Sequence, residues 1–95
     1  MLKMPVSDRR MRILEWLKDP VAHFPPQRHG DLVEDGVTAA AVAEKLAVPR
    51  PVAVTDLRLL AAIGLLRTTR IRRSVHYRRD EVRIAEVARL FEKGW

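Results

Sequence analysis

Arginine dominates the residues of this chain that can bind a charged ligand. Segment 48–80 holds eight arginines against two aspartates, a net charge of +6 that equals the net charge of the whole chain. The planar guanidinium group makes two-pronged hydrogen bonds to phosphates and to guanine edges. A solvated basic face that keeps a small protein soluble is the plainer explanation. Because the excess charge is confined to one third of the sequence, we favour a surface for a polyanion. The eight are Arg50, Arg58, Arg67, Arg70, Arg72, Arg73, Arg78 and Arg79.

Residues suited to metal binding or catalysis are few and scattered. The chain has no cysteine, which excludes disulfides, thiolate metal sites and thiol redox chemistry and suits a reducing cytoplasm. We expect no metal or other cofactor, because the three histidines and the acidic residues of segment 31–35 would have to converge to hold one. No nucleophile–base pair, carboxylate pair or glycine-rich phosphate loop is suggested by spacing, so we expect no enzyme. The residues considered as ligands are His23, His29, Asp31, Glu34, Asp35 and His76.

Length and composition predict one domain over 1–95. Apolar residues make up 47% of the chain and charged residues 32%, a globular composition. The longest uncharged apolar run, 59–66, is far shorter than the ~20 residues that span a bilayer. Arginines precede any apolar stretch at the N-terminus, so no signal peptide is predicted. We therefore expect a cytoplasmic protein.

Two segments precede the helices of the arginine-rich region. A first helix is expected within 1–18, capped by Ser7 or Asp8 and ended before Pro20, because the residue before a proline leaves the helical region. A long connection, 19–36, follows. Its length and polarity make it the expected contact for a small-molecule or protein effector.

A helix-turn-helix is predicted over 38–62. Thr38 is a good N-cap for its first helix, and Pro51 suits the first position of the second. The second helix, 51–62, is expected to stop at Gly64, which readily takes the left-handed conformation. Its expected core-facing residues are Ala53, Leu57, Leu59, Leu60 and Ile63.

Beyond the second helix the pattern changes to the two-residue alternation of strands. We predict a β-hairpin over 65–79 with Arg72 and Arg73 at its tip. Asp80 then caps a last helix, 81–93. The apolar face of this helix is wider than the core of so small a domain needs, so we expect a partner helix. A two-fold homodimer is the commonest way to supply one.

Helix, tight turn, helix and basic hairpin follow one another in the order of a winged helix-turn-helix, in which the hairpin is called the wing. Segment 42–77 resembles the ArsR/SmtB family of bacterial dimeric repressors, and the loop resembles one branch of that family at 23–26 and 30–32. The resemblance covers about nine-tenths of the chain. The matching residues are Ala43, Leu46, Val48, Pro51, Leu57, Leu60, Gly64, Leu65, Leu66, Arg70 and Tyr77.

The resemblance implies a mainly α fold with a β-hairpin wing, in which a three-helix core is joined by a terminal dimerisation helix. It implies a homodimeric repressor that binds a palindromic DNA operator, with the second helix in the major groove and the wing on the minor groove or phosphates. Segments 1–18 and 81–93 would form the dimer. The implied DNA-binding residues are Arg50, Val52, Thr55, Arg58, Arg70, Arg72 and Arg73. The implied dimer-interface residues are Ile13, Leu17, Ile84, Val87, Ala88 and Phe91.

Several departures from the family pattern leave other functions open. Val54 and Asp56 replace polar or basic residues, so Asp56 either accepts a hydrogen bond from a cytosine amino group or is held in a salt bridge by Arg50 or Arg58. Arg72 stands where the wing tip normally has glycine, and the cysteine and last-helix histidine ligands of the metal sensors are absent. The alternative functions are a dimerising protein-interaction module with weakened or lost operator recognition, and an unselective coat on DNA.

Overall fold

The structure is a computed structural model, and it describes the backbone of residues 8–92 and the side chains of residues 8–90. The helices of this part of the chain are α1 (Asp8–Lys18), α2 (Pro20–His23), α3 (Ala39–Leu46), α4 (Arg50–Ala62) and α5 (Glu81–Glu92). Its strands are β1 (Val37–Thr38), β2 (Leu66–Ile71) and β3 (Ser74–Arg79). The predicted helix-turn-helix and hairpin are confirmed, whereas α2 and β1 were not predicted.

The turn between α3 and α4 is set by the caps of the two helices. The Thr38 hydroxyl accepts a hydrogen bond from the Ala41 amide over 3.3 Å, which confirms Thr38 as the N-cap. Ala47 ends α3 in the left-handed region, with φ +57°. Pro51 occupies the first turn of α4, where its missing N–H costs nothing, and Gly64 follows that helix with φ +85°. The predicted stop at Gly64 is confirmed.

The core lies between α1, α3, α4 and the sheet. Ala53, Leu57 and Leu60 are fully buried on one face of α4, as predicted. Leu59 and Ile63, which were also expected on that face, keep 37% and 39% of their surface exposed. The prediction was wrong for these two because α4 is covered along one side only, and a narrow stripe of residues spaced three and four apart is enough for that contact.

The three strands form an antiparallel sheet in the order β1-β3-β2. The hairpin pairs Thr68 with Tyr77, and β1 adds Val37 on the other side of the same tyrosine. Gly36 makes this addition possible: its φ is +106°, and a Cβ there would lie 2.3 Å from the carbonyl oxygen of Tyr77. The two-residue strand therefore depends on a glycine that allows close backbone approach.

Asp56 is fully buried on α4, and α1 supplies its partners. The Arg9 Nε donates to Asp56 Oδ2, the Arg9 Nη2 donates to Oδ1 over 3.2 Å, and the Arg10 Nε donates to Oδ1 over 3.0 Å. The sequence-based expectation of a salt bridge to Arg50 or Arg58, or of a contact with cytosine, was wrong. The carboxylate faces α1 and holds the first helix against the fourth.

The last helix begins at its predicted cap, since Asp80 Oδ1 accepts from the Arg83 amide over 3.1 Å. The expected cap at Ser7 lies outside the described residues, and Asp8 is the first residue of α1. No helix in the described part of the chain combines the length and the apolar composition that crossing a membrane requires.

Candidate nucleic-acid interface

The outward face of α4 is polar and basic. Thr55 and Arg58 are exposed on the side opposite the buried stripe, and Arg50 is exposed at the start of the helix. Val52 is half-buried at the edge of this face. The Thr55 hydroxyl donates to the Pro51 carbonyl oxygen over 3.0 Å, so the hydroxyl oxygen keeps its lone pairs for a further hydrogen bond.

The wing presents three further arginines. Arg70, Arg72 and Arg73 are exposed along β2 and in the turn that joins it to β3. The turn forms without the glycine typical of the family, because Arg72 itself takes a left-handed conformation with φ +55°. A residue with a Cβ adopts that conformation at a cost of about 1–2 kcal/mol.

The arginines of these two elements are available for a ligand. Within residues 8–90, the side chain of none of the five takes part in a hydrogen bond or an ion pair. They are Arg50, Arg58, Arg70, Arg72 and Arg73. A protein that leaves this many guanidinium groups exposed and unpaired has a surface suited to phosphate oxygens.

Both aspartates of the basic segment are kept away from this surface. Asp56 is buried against α1, and Asp80 caps α5 and lies 4.0 Å from Arg67. Sequence reasoning missed the role of Arg9 and Arg10, because no local pattern connects them with a residue 46 or 47 positions away. They neutralise the one carboxylate on α4 that would otherwise repel phosphate.

The pKa of Asp56 follows from the same contacts. Burial on its own would raise the pKa, but the hydrogen bonds and positive charges of Arg9, and then of Arg10, outweigh that effect and hold the pKa below its ordinary value of 3.8. The pKa of Arg9 is raised by its hydrogen bond and charge interaction with the same carboxylate. The carboxylate is therefore ionised at neutral pH.

The histidines and acidic residues of the loop do not converge. Among the described residues, no group of three or more histidine, aspartate or glutamate side chains is placed to hold a metal ion. His23 and His29 are exposed, whereas His76 is buried with its Nδ1 3.2 Å from the Gly36 carbonyl oxygen. Asp31 caps the turn that follows it, since its Oδ2 accepts from the amide nitrogens of two later residues. Asp31 therefore stabilises the conformation of the loop.

The residues predicted for a dimer interface differ in how far they are buried. Ile13 and Leu17 are buried in the core of the chain itself, so α1 already uses them. Ile84 and Val87 are half-buried against that core, and Ala88 is exposed. The side chain of Phe91 lies outside the described residues. Further exposed apolar residues stand on the same helix, namely Val82 at 71% and Leu90 at 48% exposure.

Comparison with known proteins identifies the class to which this fold and surface belong. The chain is 34% identical over 82 residues to YbzH of Bacillus subtilis (strain 168), an uncharacterised HTH-type transcriptional regulator, and the match covers 86% of this chain and 82% of its relative. No family model matches the chain, and no solved structure matches it.

The fold and this relationship define a winged helix-turn-helix transcriptional regulator that binds DNA. The chain belongs to the HTH-type transcriptional regulators, and it is not an enzyme.

Proposed function

We propose that the protein is a homodimeric repressor of the ArsR/SmtB type, which acts in the cytoplasm on a palindromic operator. The observation that carries this proposal is the set of five arginines on α4 and the wing, whose side chains are exposed and unpaired within residues 8–90. The recognition helix, α4, enters the major groove, and the wing lies against the DNA backbone. Repression follows from occupation of the promoter.

The two elements of this surface have different tasks. On α4, Arg50 and Arg58 are placed to read guanine or to grip phosphate, and Thr55 to contact a phosphate or a thymine methyl group. On the wing, Arg70, Arg72 and Arg73 bind phosphates and release condensed counterions. Base readout therefore belongs to the helix, and the general affinity for DNA belongs mostly to the wing.

A second copy of the chain supplies the other half of the operator contact. The exposed apolar residues of α5 support this arrangement, because monomeric proteins rarely leave such surface in water. Two-fold symmetry would place the two α4 helices in successive major grooves, ~34–36 Å apart. Ile84, Val87 and Ala88 are the described residues that we assign to the interface.

The competing function, a protein-interaction module with lost operator recognition, has less support than the sequence suggested. Its main argument was an acidic residue at the DNA, but Asp56 is buried and neutralised by α1. Val54 is half-buried against the core, so it is not a large apolar group presented to the groove. Neither residue stands in the way of phosphate.

The experiment that tests the division of tasks measures the DNA affinity of two variants over a range of salt concentrations. Replacing Arg72 and Arg73 together by alanine is expected to weaken binding to all duplexes alike and to lower the slope of log K against log salt by about two, roughly one for each phosphate contact. Replacing Arg58 by alanine is expected to cost about 1–3 kcal/mol on the preferred sequence and less on others.

The matched control is Arg89→Ala, which removes an exposed arginine from α5. Its affinity and salt dependence are expected to stay close to those of the unaltered protein. Intact binding by the Arg72/Arg73 double variant would overturn the assignment of the wing to the DNA.

A further inference from the structure

A cleft of about 250 Å³ lies on the side of the molecule where α1 and α2 meet β3. The turn after Asp31 and the start of α5 also contribute to its lining. Its lining residues are Leu17, Lys18, Pro20, Leu32, Val33, Tyr77, Arg78, Arg79 and Glu81. The DNA-binding residues assigned above do not line it.

The floor of this cleft is apolar. Leu17, Leu32 and Tyr77 belong to the core and are between 5% and 9% exposed, and Pro20 beside them is buried. Water molecules on such a floor find few hydrogen-bond partners, so an apolar group gains free energy by replacing them. The aliphatic side chain of Val33, which is 56% exposed, stands at the rim.

Not every positively charged side chain that lines the cleft has an ion-pair partner. Arg79 donates from Nη1 to the Leu14 carbonyl oxygen over 3.0 Å and pairs with Glu81 over 2.6 Å, so its charge is neutralised. The Nε atoms of Arg78 and Arg79 are both buried without a hydrogen-bond partner among residues 8–90, but Arg78, unlike Arg79, forms no ion pair there. Lys18 has no ion-pair partner in that part of the chain either. The lining therefore carries two positive charges that no carboxylate of the described chain balances.

We propose that this cleft binds a small organic monocarboxylate with a compact apolar body. The carboxylate accepts hydrogen bonds from Arg78 and Lys18, and the apolar body covers Leu17, Leu32 and Tyr77. A charge-assisted pair of this kind balances two lining cations that no carboxylate of the described residues neutralises. The volume lies just below the range of drug-sized ligands, which fits an acid of the size of benzoate.

A ligand in this cleft connects two parts of the proposed regulator. It contacts α1, which also holds the recognition helix through Asp56, and it contacts β3, which carries the wing. The binding of the acid to the cleft does not depend on the proposed function. An effect of the bound acid on operator affinity, in contrast, rests on the proposed function. The effector that the sequence placed on the loop 19–36 is thereby assigned to the inner side of that loop, at Leu32 and Val33.

The test is a titration of the protein with benzoate, followed by amide and side-chain NMR shifts and by calorimetry, in the absence of DNA. Saturable shifts are expected at Leu17, Lys18, Leu32 and Arg78, with a Kd of about 1 mM or tighter. Benzamide, which has the same shape without the charge, is expected to bind at least about tenfold more weakly, because it cannot form charge-assisted hydrogen bonds. Equal binding of the two compounds, or binding of inorganic phosphate as tight as that of benzoate, would overturn the proposal.

The matched pair of variants is Arg78→Gln and Arg70→Gln, both on the hairpin. Arg78→Gln is expected to weaken benzoate binding by about tenfold or more, and Arg70→Gln to leave it within about twofold. Lys18→Gln tests the same cleft from α1, without a change in β3. This variant is also expected to weaken benzoate binding. An equal loss in Arg70→Gln would show that the charge of the wing in general, and not the cleft, attracts the acid.

The effect on DNA is measured separately by repeating the DNA titration with and without saturating benzoate. DNA binding without benzoate binding would refute the cleft proposal and leave the proposed function intact. Benzoate binding without any DNA binding would refute the proposed function and leave the cleft proposal intact.

Discussion

At the scale of single residues, the ion pair of Asp56 keeps a negative charge away from the exposed arginines. Asp56 is the one acidic residue of α4, and it is fully buried and paired with Arg9 and Arg10 of α1. A buried pair of this kind is expensive to break, because removing one partner leaves the other charged groups without their acceptor. The residue therefore contributes to the position of α1 and not to base recognition.

Replacing Asp56 by asparagine is expected to lower the free energy of unfolding by about 1–3 kcal/mol at neutral pH, since it removes the charge that Arg9 and Arg10 bind. Urea unfolding measures this. Glu15→Gln, an exposed position on α1, serves as the control and should change little. An unchanged midpoint for the Asp56 variant would contradict the buried ion pair.

The same pair predicts a pH dependence. Because the folded pKa of Asp56 lies below its ordinary value of 3.8, its contribution to stability is complete above that value and is lost as the pH falls through the lower, folded pKa. The difference in stability between the unaltered protein and Asp56→Asn should therefore shrink when unfolding is measured below pH ~3.8. A difference that stays constant down to strongly acidic pH would contradict this assignment.

At Arg72, at the tip of the wing, the backbone conformation affects stability, whereas the side chain is assigned to DNA binding. Its left-handed backbone is adopted by glycine at no cost, so Arg72→Gly is expected to keep the stability or raise it by up to about 1 kcal/mol. Arg72→Ala should bring no such gain. Both variants should lose the same DNA affinity, which thermal unfolding and a DNA titration measure together. A loss of stability in the glycine variant would show that the side chain of Arg72 supports the turn.

At the scale of elements, the longer pieces could be predicted and the shorter ones could not. Apolar spacing and caps identified α3, α4 and α5, and the change to two-residue alternation identified the hairpin. The strand β1 has only two residues, so it carries no alternation and exists through its pairing with β3. The single turn α2 is likewise too short for a periodic pattern. The partners of Asp56 lay beyond any local signal, because tertiary packing brings α1 to α4.

Gly36→Ala tests how β1 joins the sheet. The new Cβ would lie 2.3 Å from the Tyr77 carbonyl oxygen, on a backbone with φ +106°, so a loss of about 3 kcal/mol or more is expected in the free energy of unfolding. Gly64→Ala is the matched control. Its Cβ would meet the flexible side chain of Arg83 at 3.1 Å, and it should cost clearly less. Equal losses would contradict the close approach at Gly36.

At the scale of the whole molecule, the charge and the apolar surface lie on different elements. The unpaired arginines stand on α4 and the wing, and the exposed apolar side chains of α5 include Val82 and Leu90. In the dimer that we propose, one surface binds a polyanion while a second copy of the chain covers the other. The DNA-binding class follows from the relationship to a helix-turn-helix regulator, and the symmetric assembly is our proposal.

Ala88→Glu tests the assembly, because it places a charge in the proposed interface at an exposed position. The variant is expected to sediment as a monomer at concentrations at which the unaltered protein is a dimer, and to lose cooperative operator binding. Ala22→Glu makes the same change at an exposed position of α2 and should leave the dimer intact. A monomeric unaltered protein, or a dimer that Ala88→Glu does not disturb, would contradict the assignment of α5.

The most direct test of a sequence-specific dimeric repressor is a selection of sheared genomic DNA by the purified protein at about 150 mM salt, where non-specific contacts are screened. Sequencing of the retained fragments is predicted to reveal an enriched inverted repeat with half-sites one helical turn apart. Weak retention without a preferred sequence would contradict the account and leave an unselective or lost interaction with DNA.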